Sequence, residues 1–220
     1  PEVVSHNRAI NQLEGCRYIE CPQNTGRAAI RNFLARKASL PWLLFIDSDM
    51  VVCRNDFLRH YAEDQAQDAD KVVQYANADE AAQDTGADKV IYYGGVSIGP
   101  LQPGNLRSMY ESACQHEHTV ECRQQSPYLD FHTANFLIPR SLMLAHPFDE
   151  RFRHYGYEDV FFGKQMQQAG ITIQHIDNPL SFEVFEPNAD FVSKTEEGLR
   201  TLHEFRHELQ DHSRLLALTR

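Results

Sequence analysis

Leu43-Leu44-Phe45-Ile46-Asp47-Ser48-Asp49-Met50-Val51-Val52 is an apolar run interrupted by two carboxylates one residue apart. A run this short, rich in aromatic and branched residues, reads as a strand buried on both faces and covered by helices, as in α/β sheets. Packing gives no reason for acids there, because desolvating a carboxylate costs several kcal/mol unless it is paired or bound to a metal. In open α/β sheets the carboxyl ends of strands are where ligands sit, so Asp47 and Asp49 are expected to look into a crevice. Two oxygen ligands suit Mg²⁺ or Mn²⁺, which keep waters and take further oxygens from substrate phosphates. The plainer alternative is that the two acids only cap a turn at the strand end.

Outward from this stretch, Ala29, Ile30, Phe33 and Leu34 fall at helical spacing between Gly26 and Ser39, with Asn24-Thr25 as the cap and Pro41 as the stop. Residues 2–6 and 17–20 read as short strands, which completes a strand, loop, helix, strand unit. Downstream the pattern predicts a surface helix over 56–69, strands over 71–75 and 89–93, and a mobile loop or frayed helix over 76–88. The Gly and Pro residues from Gly94 to Gly104 mark an extended loop, in a position suited to a lid. A polar helix is expected over 105–125, with Met109, Tyr110 and Ala113 on one side. Its Cys114, His116, His118 and Cys122 match no structural zinc spacing. A strand over 131–138, a short helix over 141–145, an amphipathic helix over 160–169 stopped by Gly170, and a strand over 171–176 follow. One or two C-terminal helices close the chain.

The sequence has 220 residues, 42% hydrophobic and 24% charged, as expected for one well-buried globular domain. No apolar run reaches the roughly 18 to 20 residues that span a bilayer, and no signal peptide opens the chain. A net charge of −10 disfavours a nucleic-acid partner but not an anionic nucleotide sugar, whose charge a divalent cation and local arginines can offset. Five cysteines without a C-x-x-C suggest a reduced, cytoplasmic protein.

Four blocks, taken in order, carry a family resemblance. The Asp47-Ser48-Asp49 stretch is similar to the metal motif of GT-A glycosyltransferases. Asn24-Thr25-Gly26-Arg27-Ala28-Ala29-Ile30-Arg31-Asn32 resembles the block that precedes that strand in family 2 enzymes. Phe131 to Ile138 resembles their acceptor-side strand, and Tyr155-Gly156-Tyr157-Glu158-Asp159-Val160 resembles their Glu-Asp catalytic motif, as in galactosyltransferase-like C-terminal regions. The resemblance implies a single GT-A domain over 1–220, with a Rossmann-like mixed sheet flanked by helices and an N-terminal part that looks short. Its halves would be a nucleotide-sugar and metal half (1–104) and an acceptor and catalytic half (105–190), followed by C-terminal helices (191–220).

It further implies a metal-dependent inverting hexosyltransferase, using a UDP-sugar and a glycan or glycolipid acceptor in bacterial polysaccharide assembly. The location would be cytoplasmic or at the inner membrane face, with peripheral attachment through the acceptor. Asp49 would touch Mn²⁺ or Mg²⁺ directly, and Asp47 through water or the ribose. Asp159 would be the base, with Glu158 orienting the acceptor. Asn24, Gly26, Arg31, Asp47 and Ser48 would hold the donor, although Arg31 is equally read as a salt-bridge partner of Asp47. Asn135 either faces the acceptor or satisfies a buried backbone group. Phe182 stands where a metal-binding histidine often occurs in the family. Glu183 or Glu186 are the substitutes, and His175 is read as a packing residue. The rival readings are a retired enzyme that only binds a sugar or a protein, and a metal-dependent phosphohydrolase.

Overall fold

The computed structural model describes residues 2–76, 89–182 and 184–218. The chain forms α1 (Glu2–Arg8), α2 (Arg27–Lys37), β1 (Trp42–Ile46), β2 (Met50–Val52), α3 (Phe57–Ala76), β3 (Val90–Tyr93), β4 (Val96–Ser97), α4 (Leu106–Ala113) and α5 (Val120–Gln125). These are followed by β5 (Asn135–Pro139), α6 (Arg140–Ala145), α7 (Glu158–Gln168), β6 (Thr172–His175), β7 (Leu180–Phe182), α8 (Asn188–Glu204), α9 (Arg206–Leu209) and α10 (Arg214–Ala217). The architecture is mixed α/β.

A four-stranded sheet has the order β1-β5-β3-β6, and a three-stranded sheet the order β2-β7-β4. β5 runs antiparallel to both β1 and β3, whereas β3 and β6 are parallel. The central strands supply the most completely buried residues, Ile91, Tyr93, Phe136 and Ile138. These pack with Phe131, Phe148, Phe162 and Met166 on one face of the sheet. Phe148 and Phe162 stack at 4.2 Å between centroids, and Phe131 meets Phe136 edge-on at 5.3 Å. The other face buries Phe57, Tyr61, Tyr92, Leu137 and Leu180 under α3.

Asn135 stitches the two sheets together. Its side-chain amide donates to the Gly95 and Asn178 carbonyls at 2.9 and 2.8 Å, and its oxygen accepts from the Tyr61 hydroxyl at 2.7 Å. Of its two sequence readings, the buried backbone partner is the one the structure adopts. Gly94 passes so close to this node that a Cβ there would lie 2.5 Å from both the Asn135 amide and the Asn178 carbonyl.

Several local expectations change. Residues 2–6 are helical, not a strand, and residues 17–20 form no regular structure, so no strand precedes α2 and the expected βαβ unit is absent among the described residues. Residues 71–75 continue α3, because the helix begun at Phe57 runs through them. Residues 77–88, the expected loop, and Glu183 lie outside the described residues. β1 is an edge strand and is not buried on both faces: of its residues only Leu43 is buried, and Ile46 is 42% exposed. α2 starts on Gly26, at φ 85°, and ends at Lys37 well before Pro41. The expected helix over 105–125 breaks at Cys114 into α4, a 3-10 turn and α5. On α4 the buried residues are Ser108 and Glu111, while Met109 and Tyr110 stay exposed. The C-terminal region holds three helices rather than one or two.

Candidate active site

β1 delivers its acids where the strand ends. The Asp47 N–H donates to the Ala134 carbonyl, and the Asp47 carbonyl accepts from Met50 N–H at 3.2 Å, closing a turn through Ser48 and Asp49 into β2. That turn puts Asp47 and Asp49 on the wall of a cavity of about 400 Å³. Asp159, His132, Arg27, Arg107, Tyr155 and Phe182 line the same cavity. Residues far apart in sequence therefore converge on one site.

α2 explains why an Arg-Asn pair belongs in this region. Arg31, 6% exposed, donates from Nη2 to Asp47 Oδ1 and from Nη1 to Glu158 Oε1, both at 3.1 Å. One guanidinium thus fixes the end of β1 against the start of α7, and the salt-bridge reading of Arg31 holds. Asn32 donates to the Phe148 carbonyl and accepts from the Phe148 N–H, both at 2.9 Å, which pins the chain leading to α7. Asp47 Oδ2 accepts no hydrogen bond among the described residues, and Asp49 and Ser48 are exposed.

The entry to α7 is bent by two left-handed residues, Gly156 at φ 92° and Tyr157 at φ 68°. A bulky residue at positive φ is an outlier that persists where its surroundings over-determine it, commonly at functional sites. Gly156 approaches Gly198 of α8 so closely that a Cβ would sit 3.4 Å from its Cα. The bend turns Glu158 inward, 3% exposed against Arg31, and leaves Asp159 on the cavity.

The two neighbouring carboxylates titrate in opposite directions. Burial, then the adjacent Asp159 charge, pushes Glu158 up against the opposing pull of Arg31. Burial also opposes charge on Asp159, but its hydrogen bond with His132 and the Val160 N–H donated to it outweigh that, and it lies below the usual range. His132 is desolvated too, yet its bond to Asp159 raises it overall. The His132 side chain remains 47% exposed, so solvent screens this pair.

A second cavity lies beside the first, lined by Asn24, Gly26, Arg153, His154 and Glu197, and it shares Arg27 and Tyr155 with it. The Arg27 guanidinium stacks over the Tyr155 ring at 4.5 Å. Asn24 accepts the Gly26 N–H at 3.0 Å, and Gly26 is held against the Arg153 carbonyl, 3.1 Å from where a Cβ would be. The sequence-predicted donor residues therefore divide. Asn24 and Gly26 line this cavity, Asp47 lines the first one, and Arg31 lies buried against Asp47 and Glu158, outside both linings.

The two acids at the end of β1 are hard oxygen donors with one carboxylate oxygen and a second, exposed carboxylate available, a set that fits a Mg²⁺ or Mn²⁺ ion sharing ligands with phosphate and water. Among the described residues no three His, Cys, Asp or Glu side chains gather in a metal-binding group. This bears on the Cys114 to Cys122 stretch as well. Phe182 pairs with Met50 across β2 and β7, which brings it beside the acid turn, and it lines the cavity. Glu186 is engaged by Lys194 at 3.4 Å. His175 is 4% exposed and packs between Arg123 and the Pro127 carbonyl.

Sequence reasoning passed over Arg27, Arg107 and Glu111, and gave His132 and Tyr93 no role. For Arg27 a signal existed in its place at the first turn of α2, beside Gly26. For His132 the signal was its place in the Phe131 to Ile138 block; for Arg107, Glu111 and Tyr93 there was none, because their roles depend on chain segments that only the fold brings together.

Residues 3–92 match the family model for glycosyl transferase family 2. The match runs from α1 through β3, takes in the Asp47 and Asp49 turn, and supports that family for this part of the chain. With the mixed sheets flanked by helices, it is consistent with a GT-A fold. No curated protein matches the chain. Among the described residues no helix is long and apolar enough to cross a membrane.

Proposed function

We propose that the protein is a metal-dependent inverting glycosyltransferase that moves a hexose from a nucleotide sugar, of the UDP-sugar class, to a glycan or glycolipid acceptor. The observation that carries this reading is the convergence of Asp47 and Asp49 with Asp159 on one cavity. In-line transfer requires a diphosphate held on one side of the sugar and a proton acceptor for the incoming hydroxyl on the other.

Asp49, with the free oxygen of Asp47, would hold Mn²⁺ or Mg²⁺, which stabilises negative charge on the departing diphosphate. The donor's nucleoside would occupy the cavity by Asn24 and Gly26. Its diphosphate would pass Arg27, which faces both cavities and supplies a positive charge. Arg31 and Glu158 act from behind, keeping the β1 acids and α7 in register. Asp159 belongs to the acid–base centre on the acceptor side. The incoming hydroxyl gives up its proton there as its oxygen attacks the anomeric carbon, and the C–O bond to phosphate breaks with its electron pair leaving on the diphosphate. The setting would be polysaccharide or glycolipid assembly in a bacterial cytoplasm, with attachment to the inner membrane face through the acceptor.

The test is a thermal-shift screen of UDP, UDP-glucose, UDP-galactose and UDP-N-acetylglucosamine, each with and without Mn²⁺, because a ligand that binds the folded state raises its melting temperature. Mn²⁺-dependent stabilisation lost in Asp49→Ala supports the reading. Stabilisation that ignores both the metal and that substitution favours a domain that binds sugar without turnover.

A further inference from the structure

The acid–base centre contains a second titratable side chain that faces the cavity. His132 leads from the loop before β5 to the cavity wall, and its Nδ1 lies 3.3 Å from Asp159 Oδ2. An ionised carboxylate only accepts hydrogen bonds, so the proton of a neutral His132 must sit on Nδ1. Nε2 is then the lone-pair nitrogen, and it makes no hydrogen bond among the described residues. Asp159 has both oxygens engaged, Oδ2 by the imidazole and Oδ1 by the Val160 N–H at 2.8 Å. Stabilised in that way, the carboxylate is a weak proton acceptor, whereas the imidazole beside it is the stronger one.

An independent feature marks the same spot. Tyr93 is one of the residues that line the cavity, and its hydroxyl is fully buried with no hydrogen-bond partner among the described residues. The Tyr93 ring stands edge-on to His132, at 6.1 Å between centroids. A buried hydroxyl without a partner costs about 1 to 3 kcal/mol unless something supplies one.

We propose that His132 Nε2 is the atom that accepts the acceptor hydroxyl's proton, and that Asp159 is its positioning residue. The inference rests on the glycosyl-transfer reading above. The proton moves from the acceptor hydroxyl to Nε2 as the new glycosidic bond forms and the diphosphate leaves, and the resulting imidazolium is stabilised by the Asp159 carboxylate until water removes the proton. Arg27, Arg107, Arg123 and Arg214 also line this cavity, but the charges acting most strongly on His132 are Asp159 on α7, Asp130 in its own loop and Glu111 on α4, all acidic. They favour the imidazolium, in line with a basic imidazole.

The experiment joins ¹⁵N-histidine NMR of the whole chain to turnover. Correlation spectra report the tautomer of each imidazole. The His132 signal is assigned by its loss in His132→Gln or, should that variant not fold, by its shift in Asp159→Asn. We expect an Nδ1–H tautomer, uncommon for histidine in water, with a titration midpoint above 6.5 that falls in Asp159→Asn. An Nε2–H tautomer, or a midpoint that Asp159→Asn does not move, overturns the proposal whatever the turnover shows.

For turnover, hydrolysis of the UDP-sugars and transfer to p-nitrophenyl glycosides are measured with Mn²⁺. His132→Gln should lower the rate 10²- to 10⁴-fold, the usual worth of a general base, while keeping Mn²⁺-dependent stabilisation by UDP. The double variant with Asp159→Asn should be little slower than either single one, as for residues acting as a unit. His132→Gln within threefold of the parent rate overturns the base assignment and leaves the glycosyltransferase reading intact. Loss of all UDP stabilisation in the unaltered protein sinks that reading instead.

Discussion

Replacing Arg31 by Ala removes a side chain that ties β1 to α7. Arg31 makes two charge-assisted bonds of 3.1 Å, to Asp47, whose side chain is 33% exposed, and to Glu158, which is 3% exposed. The solvent-facing bond to Asp47 adds little, about 1 kcal/mol or less. The buried one dominates, because its loss strands a desolvated carboxylate next to Asp159, and breaking such a pair costs about 3–5 kcal/mol. At about 2–4 °C per kcal/mol for a chain of this size, the melting temperature should fall by roughly 6 to 20 °C.

The effect has a pH signature. The Glu158 pKa is already raised by burial, and without Arg31 it rises further. A carboxyl group whose folded pKa exceeds its unfolded value contributes stability in full below the unfolded pKa and loses it as pH rises through the folded pKa. The defect of Arg31→Ala should therefore shrink toward pH 5 and grow toward pH 8. Urea denaturation at both pH values measures it, and Glu158→Gln introduced into Arg31→Ala should recover most of the loss at pH 8. A defect below about 1 kcal/mol, or one that neither pH nor Glu158→Gln alters, would refute the argument that the buried charge is the main cost.

Three further outcomes are expected. Gly163→Ala would place a Cβ 2.1 Å from the Tyr128 carbonyl, so α7 must move off the loop before β5; a loss of about 3 kcal/mol or more is expected by urea denaturation, at the upper end of overpacking. Asn135→Ala takes the side-chain partner from the Asn178 and Gly95 carbonyls and leaves the Tyr61 hydroxyl only its long 3.4 Å bond to the backbone carbonyl of residue 135; it should cost about 3 kcal/mol, with hydrogen exchange speeding up in both sheets. His175, pushed down to about 4 by burial and then by Arg123, is buried neutral, and its folded pKa lies below its unfolded value of 6.5. Its contribution is complete above pH 6.5 and is lost as pH falls toward 4, about 3 kcal/mol in all; pH-dependent unfolding should flatten over that window in His175→Gln.

Local periodicity was enough for much of this fold. The apolar run ending in Asp47 and Asp49, the strands around 90–93 and 172–175, and the helix after Tyr157 all carry their pattern within a few residues, and each forms where the pattern places it. Residues 2–6 and 71–75 mislead for the same local reason. Their β-branched residues favour a strand, but 71–75 extend a helix already nucleated at Phe57, and propagating a helix is easier than starting a new element.

The site divides along the same line. The acid pair at 47 and 49 and the carboxylates at 158 and 159 could be picked out from sequence, because charges beside apolar runs are costly and therefore informative. Their division of labour could not. Glu158 turns inward and Asp159 outward only because Gly156 and Tyr157 take left-handed backbone conformations and Arg31, distant in sequence, reaches Glu158 from α2. The pairing of His132 with Asp159, and a Tyr93 hydroxyl with no partner among the described residues, are likewise products of packing β3, β5 and α7 around one cavity. Sequence determined which residues carry charge at the ends of elements; tertiary structure decided which of those charges meet, because contact across the sheet depends on long-range packing that no local pattern encodes.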